Sequence, residues 1–149
     1  MQSTHWQWKG FHELTHEEIF DIFAVRQIVF IVEQNCPYQD VDHLDKGSFH
    51  LMGKRQGQLV AYGRLNPPRS RFKEPSMGRV LTVKSMRHLG LGRQIVAETL
   101  KKCTQLYGSS SMRISAQVYL INFYQEFGFE SSGEPYDEDG IEHVDMVRS

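Results

Sequence analysis

Between residues 77 and 108 the chain reads MGRVLTVKSMRHLGLGRQIVAETLKKCTQLYG, and this stretch restricts the fold more than any other. MGRVLTVK is a β-prone run, apolar enough to lie centrally in a sheet. From about Leu91 to Tyr107 the pattern becomes helical, with Leu91, Ile95, Val96, Leu100, Cys103 and Leu106 on its buried side and Gly108 as the stop. Between them sits RHLGLGRQ. Glycine weakens regular structure, so two glycines one apart at a helix start imply a close approach of backbone to something else. The first turn of a helix leaves N–H groups unpaired and concentrates positive potential, and glycines that admit a ligand make an anion site there, with a pyrophosphate as its natural occupant. R-x-x-G-x-G is neither the dinucleotide fingerprint G-x-G-x-x-G nor the phosphate loop G-x-x-x-x-G-K-[ST]. The spacing alone is equally compatible with a tight turn.

The other elements are read from pattern. His5 to Lys9 alternates like a short strand, and Thr15 with Glu18 is a capping-box signature ahead of IFDIFAVRQIVF, whose Ile19, Phe20, Phe23 and Ala24 share one side. SFHLMGKR and QLVAYGRL flank Gln56-Gly57, which predicts a β-hairpin. PPRSRFKEP reads as a surface loop. MRISAQ is strand-like, Leu120 to Phe127 forms a short helix closed by Gly128, and Phe129 onward pairs with IEHVDMVR around the EDG turn. The order is β-α-β-β-β-α-β-α-β-β, an α/β layered fold on a mixed sheet, with residues 1–149 as one domain.

Composition excludes several classes. A net charge of -1 argues against a general nucleic-acid binder. No apolar run approaches the roughly 20 residues that cross a bilayer, and the N-terminus has the marks of neither a signal nor a transit peptide. The expectation is a soluble cytoplasmic protein whose first residues belong to the fold, with no membrane partner. Cys36 and Cys103 lack metal-ligand or disulfide spacing, so no metal is expected and both are read as reduced thiols. A calcium reading of QDVDHLDKG fails because Leu51 stands where the loop needs Glu.

Further along, AQVYLINFYQEFGF places Tyr124 four residues before Gly128-Phe129. With Arg87, Gly90 and Gly92 in the glycine loop, the chain resembles the GNAT superfamily of acetyl-CoA-dependent N-acetyltransferases. VEQNCPYQDVD, GRV, FYQEFGF and EDGIEH are together similar to its ElaA-type branch. The resemblance implies a GNAT-like mixed β-sheet of about seven strands, flanked by helices on both faces, in which the fourth strand splays from the fifth. Acetyl-CoA is the implied co-substrate: its pyrophosphate on Arg87, His88, Leu89, Gly90, Leu91, Gly92 and Arg93, its pantetheine arm on the backbone of Leu81, Thr82 and Val83. Gln117 stands where many members carry Asn, and still offers an amide to that arm.

Acetyl transfer to an amine needs an unprotonated nucleophile, a stabilised oxyanion and a proton for the departing thiolate. Tyr124 is the implied general acid, since a phenol titrating near ~10 stays protonated at neutral pH. Many relatives carry a base Glu on the fourth strand, and GRVLTVKS has none. His143, His50, Glu33 and Asp42 are the candidates, His143 having the most suitable ordinary pKa; water is the alternative. Glu33, Gln34, Tyr38, Asp42, His50 and Arg79 are expected on the acceptor side. Two acidic groups, Glu33 with Asp40, Asp42 and Asp45, and Glu134 with Asp137, Glu138 and Asp139, would flank it and favour a cationic amine. Arg26, Arg64 and Arg79 either organise the first group or point outward. Cys36 reads as a small loop residue rather than an acetyl-carrying nucleophile. The expected activity is direct transfer to a primary amine on a small molecule or peptide, by a monomer or homodimer. The alternative is a catalytically weak acyl-CoA-binding sensor.

Overall fold

The computed structural model describes residues 3–149, so residues 1 and 2 of the expected N-terminal segment lie outside it. Among the described residues seven strands and three α-helices succeed one another in the expected order. Strand β1 (His5–Gly10) precedes helix α1 (His16–Arg26), which continues into a π-helix at Gln27–Glu33. Then come β2 (Phe49–Arg55), β3 (Gln58–Asn66), β4 (Ser76–Thr82) and helix α2 (Leu91–Tyr107). Strand β5 (Met112–Gln117), the short helix α3 (Ile121–Gln125), and the hairpin of β6 (Glu130–Glu138) and β7 (Ile141–Arg148) complete the chain.

The local signals are realised where they are chemically definite. The Thr15 hydroxyl accepts from the Glu18 N–H at 3.1 Å, and the Glu18 carboxylate accepts from the Thr15 N–H at 2.9 Å, so the capping box closes. Between β2 and β3 the turn residues Gln56 and Gly57 have φ of 52° and 76°, the paired left-handed conformation whose twist matches a two-residue hairpin.

The strands form two antiparallel sheets, in the orders β1-β2-β3-β4 and β5-β7-β6, so the fourth strand stands apart from the fifth as expected. A backbone bond from the Arg113 N–H to the Pro75 carbonyl, 3.0 Å, ties the start of β5 to the residue before β4. Beyond it the two strands part, and the edge of each sheet faces a cleft instead of a partner.

Helices cover both faces of the first sheet. Ile22 of α1, with Val29 and Phe30, packs on Met52, Tyr62 and Leu81; Leu91 and Ile95 of α2 pack on Leu51, Val60 and Ala61 from the other side. Gly63 lets α2 come close, because a Cβ there would stand 2.8 Å from Ile95. Leu65, Met77, Ile114, Val144 and Met146 join the sheets in a third cluster with Tyr124 and Phe129.

Two helix faces differ from expectation. On α1 Ile19, Phe20, Phe23 and Ala24 do share one side, but it lines an open groove: the buried residues are Glu18, Ile22 and Arg26, and Phe20 is 71% exposed. Inward-facing Arg26 is satisfied by carboxylates from a distant loop, which apolar periodicity does not register. On α2, Thr99 is buried and its hydroxyl donates to the Ile95 carbonyl at 2.7 Å, whereas Leu106, near the end of the helix, is exposed.

Candidate active site

The parted edges of β4 and β5 open a cleft of about 1030 Å³. Its walls are β4, the end of the π-helix with the loop behind it, β5 with α3, and the tip of the β6–β7 hairpin. Leu81, Thr82, Arg87, Gln117, Tyr124 and His143 line it together with Glu33, Gln34, Tyr38, Asp42 and Arg79. Residues far apart in the chain thus meet in one space.

Strand β4 is bulged. Its register with β3 shifts between Tyr62 and Arg64, and Arg79 has φ of 51°, a left-handed conformation that costs a non-glycine residue on the order of 1 kcal/mol or more. Past the bulge the ladder resumes, with Thr82 opposite Ala61 and the Val83 N–H donating to the Val60 carbonyl at 2.9 Å. Antiparallel pairing alternates in direction, so the Thr82 N–H turns away from β3 toward the cleft. Val83, expected to offer a free N–H, has spent it on Val60.

The glycine loop lies at the far end of β4. Lys84–Leu89 forms a 3₁₀ turn, and Gly90, at φ 73°, caps α2 with open space where a side chain would stand. The 17-residue helix starts there with no side-chain cap on its first-turn N–H groups. Leu91 is core and contributes backbone alone, whereas His88, Leu89 and Arg93 are exposed. Arg93 pairs with Glu126 and lies over the Phe123 and Phe127 rings, joining α2 to α3. Arg87 donates from Nε to the Thr82 carbonyl at 3.0 Å and pairs with Glu33 across the cleft mouth.

On the opposite wall Tyr124 is 8% exposed. Burial, and the neighbouring Tyr119, push its phenol up to about 12, so it carries its proton throughout the neutral range. Gln117 and His143 are directly opposed on β5 and β7, which puts both side chains on one face. His143 Nδ1 lies 2.7 Å from the Ile141 carbonyl; a carbonyl only accepts, so Nδ1 carries the hydrogen and Nε2 is left to accept a proton. Nε2 is 3.3 Å from Glu138, which Arg71 also holds at 3.1 Å.

The acidic loop is organised from within. Arg26 bonds Asp40 from Nε at 2.8 Å and Asp45 from Nη1 at 2.6 Å, and Arg64 bridges Asp42 at 2.8 Å and Asp45 at 2.9 Å. Arg79 reaches Asp40 at 2.8 Å and Asp42 at 3.3 Å, with its guanidinium over the Tyr38 ring. Three arginines thus face three aspartates. Burial disfavours the Asp45 carboxylate, but the Arg26 hydrogen bond and the charges of Arg26 and Arg64 outweigh it and hold the group down at about 2. These aspartates are therefore no free acidic wall for a cation. Asp42 in particular lies between two guanidinium groups.

His50 is also corrected. It is fully buried, with Nδ1 2.6 Å from the Tyr62 hydroxyl and Nε2 2.9 Å from the Asp45 carbonyl, outside the cleft. Burial pushes its pKa down and keeps it neutral. Arg71 is a cleft residue that sequence reasoning missed, while Glu138 and Asp139 of the second acidic group do line the cleft. Cys36, buried and free, donates to the Asp139 carbonyl at 3.0 Å and ties the loop to the hairpin tip.

An open glycine-capped helix start, a bulged strand edge parted from its neighbour, and a buried protonated tyrosine facing that edge define an acyl-CoA-dependent acyltransferase of the GNAT type. The sequence agrees: residues 12–149 match the acetyltransferase (GNAT) domain family, and the chain belongs to it. It is 50% identical over 143 residues to a UPF0039 protein of Synechocystis, covering 95% of this chain and 93% of that one. Protein ElaA of Escherichia coli is 37% identical over 146 residues, 95% of each chain, and its crystal structure superposes with a TM-score of 0.91, covering 99% of this chain and all of that one. An acyl-CoA N-acyltransferase from Pseudomonas aeruginosa is 38% identical, with a TM-score of 0.94 over 99% of this chain and 100% of its own. Among the described residues no helix is long and apolar enough to cross a membrane.

Proposed function

We propose that the protein transfers the acetyl group of acetyl-CoA to a primary amine by direct attack, and that residues 1–149 act as one domain in doing so. The observation that carries this reading is that the β4 edge, Arg87 of the glycine loop and the buried Tyr124 border one cleft. The cleft fits a long anionic thioester: unpaired helix N–H groups and Arg87 at one end suit pyrophosphate, and backbone polar groups of a parted strand suit an amide-containing arm.

The co-substrate supplies an acetyl group activated as a thioester; the rest is the work of this chain. The Thr82 N–H polarises the thioester carbonyl and Gln117 holds the arm, whereas Leu81, opposite Tyr62 and on the same side of β4 as Val83, turns its N–H toward β3. His143 Nε2 takes the proton from the amine, with Glu138 beside it to stabilise the imidazolium that results. Tyr124 donates its hydroxyl proton to the sulfur as the carbon–sulfur bond breaks. Of the other bases considered, His50 is buried and Asp42 is held by two arginines. Gln34 and Tyr38 shape the acceptor end.

The experiment is thiol release from acetyl-CoA across a panel of small amines and lysine peptides, beside a melting curve with CoA. Acceptor-dependent release of free thiol supports the reading; a rise in melting temperature with no release from any acceptor supports a binding module instead.

A further inference from the structure

Arg87 belongs to the glycine loop, yet its guanidinium is committed elsewhere. Nε donates to the Thr82 carbonyl at 3.0 Å and Nη2 to the Glu33 carboxylate. Glu33 is the last residue of the π-helix and lines the same cleft. From the end of the π-helix the Glu33 side chain reaches Arg87 across the cleft mouth. Both side chains are well exposed, 44% for Arg87 and 26% for Glu33. An ion pair in that setting biases an equilibrium by no more than about fivefold. A pyrophosphate, carrying more charge and held at the same time by helix N–H groups, displaces it readily.

We propose that Glu33 and Arg87 form a displaceable latch: CoA pyrophosphate takes the guanidinium, and the released Glu33 carboxylate becomes free to receive the acceptor's ammonium group. The inference rests on the acetyltransferase reading and deepens it. Asp40, Asp42 and Asp45 are neutralised by buried arginines, and Glu138 is engaged by Arg71 and His143. Glu33 is the cleft carboxylate whose partner the co-substrate itself removes. The acceptor then meets a negative charge only after CoA has bound, which imposes an order of addition. By linkage, whatever Glu33 withholds from CoA is regained as acceptor affinity once CoA is in place.

The test is binding, not turnover. CoA titrated calorimetrically into the Glu33→Gln protein is expected to bind about two- to fivefold tighter than to wild type. Pantetheine, which lacks the pyrophosphate, is expected to bind both equally. In an Arg87→Gln background Glu33→Gln is expected to change nothing, because the latch is already gone. Carbon-13 labelling of glutamate carboxyls gives a second readout, in which the Glu33 resonance moves on adding CoA and stays still on adding pantetheine. Unchanged or weaker CoA binding by a folded Glu33→Gln protein overturns the latch and leaves the acetyltransferase reading standing. Failure of CoA to bind wild type overturns both.

Discussion

At the scale of single residues the chemistry turns on which polar groups are spent and which are free. Tyr124 is the clearest case, since burial raises its phenol to about 12 and makes it an acid that never ionises near neutrality. Tyr124→Phe keeps the ring that packs edge-on against Phe123 and Phe129 and deletes only the proton. Loss of a positioned general acid is worth about 100-fold or more in rate. The variant is expected to lose that much in kcat, with the Kd for CoA within about twofold of wild type. Equal losses in kcat and in CoA binding would make Tyr124 a packing residue. Tyr124 was legible because Gly-Phe stands four residues after it. His50 was misjudged because its burial depends on the Asp45 carbonyl of the acidic loop, which the predicted hairpin does not reveal, whereas Asp42 lines the cleft and is held by Arg64 and Arg79, two of the arginines read as organising its loop.

The elements divide by whether their signals are local. Helix α2 was readable to its ends because an apolar stripe, a glycine start and a glycine stop all lie within it. The π-helix was not, because QIVFIVE continues the α-helical run without a break in composition. The separation of the fourth strand from the fifth was legible only through the family resemblance, since the partner each strand edge lacks is a matter of long-range geometry. Gly90 is where an element's end becomes function. Aspartate tolerates left-handed backbone better than most residues and is a good helix cap, so Gly90→Asp is expected to fold. It also sets a carboxylate where the proposed function seats the pyrophosphate. The expected outcome is at least a tenfold loss of CoA affinity, against a smaller loss for Gly90→Asn, which has the same shape and no charge. Equal losses in the two variants would assign the effect to strain instead of charge.

On the scale of the whole molecule, the buried ion network makes stability depend on pH in two stages. Arg26, Asp40, Asp45 and Arg64 join α1, the acidic loop and β3, and breaking such a pair by removing one partner costs about 3 to 5 kcal/mol. Asp45 is held at about 2 against an ordinary 3.8, so its contribution is full above the unfolded value and is lost as pH falls through the folded one. His50 acts earlier. Its pKa is lowered from 6.5 by burial, so unfolding takes up a proton that the native state refuses, and stability begins to fall once pH drops below that unfolded value. Urea midpoints are therefore expected to be flat above about pH 7, to decline gently from about pH 6.5, and to drop steeply between about pH 4 and pH 2. His50→Gln keeps an amide able to reach either Tyr62 or the Asp45 carbonyl but cannot titrate. It is expected to start less stable and to lose the gentle limb while keeping the steep one. A gentle limb of unchanged slope in that variant would assign the upper transition to the other histidines and leave the network with the acid limb alone.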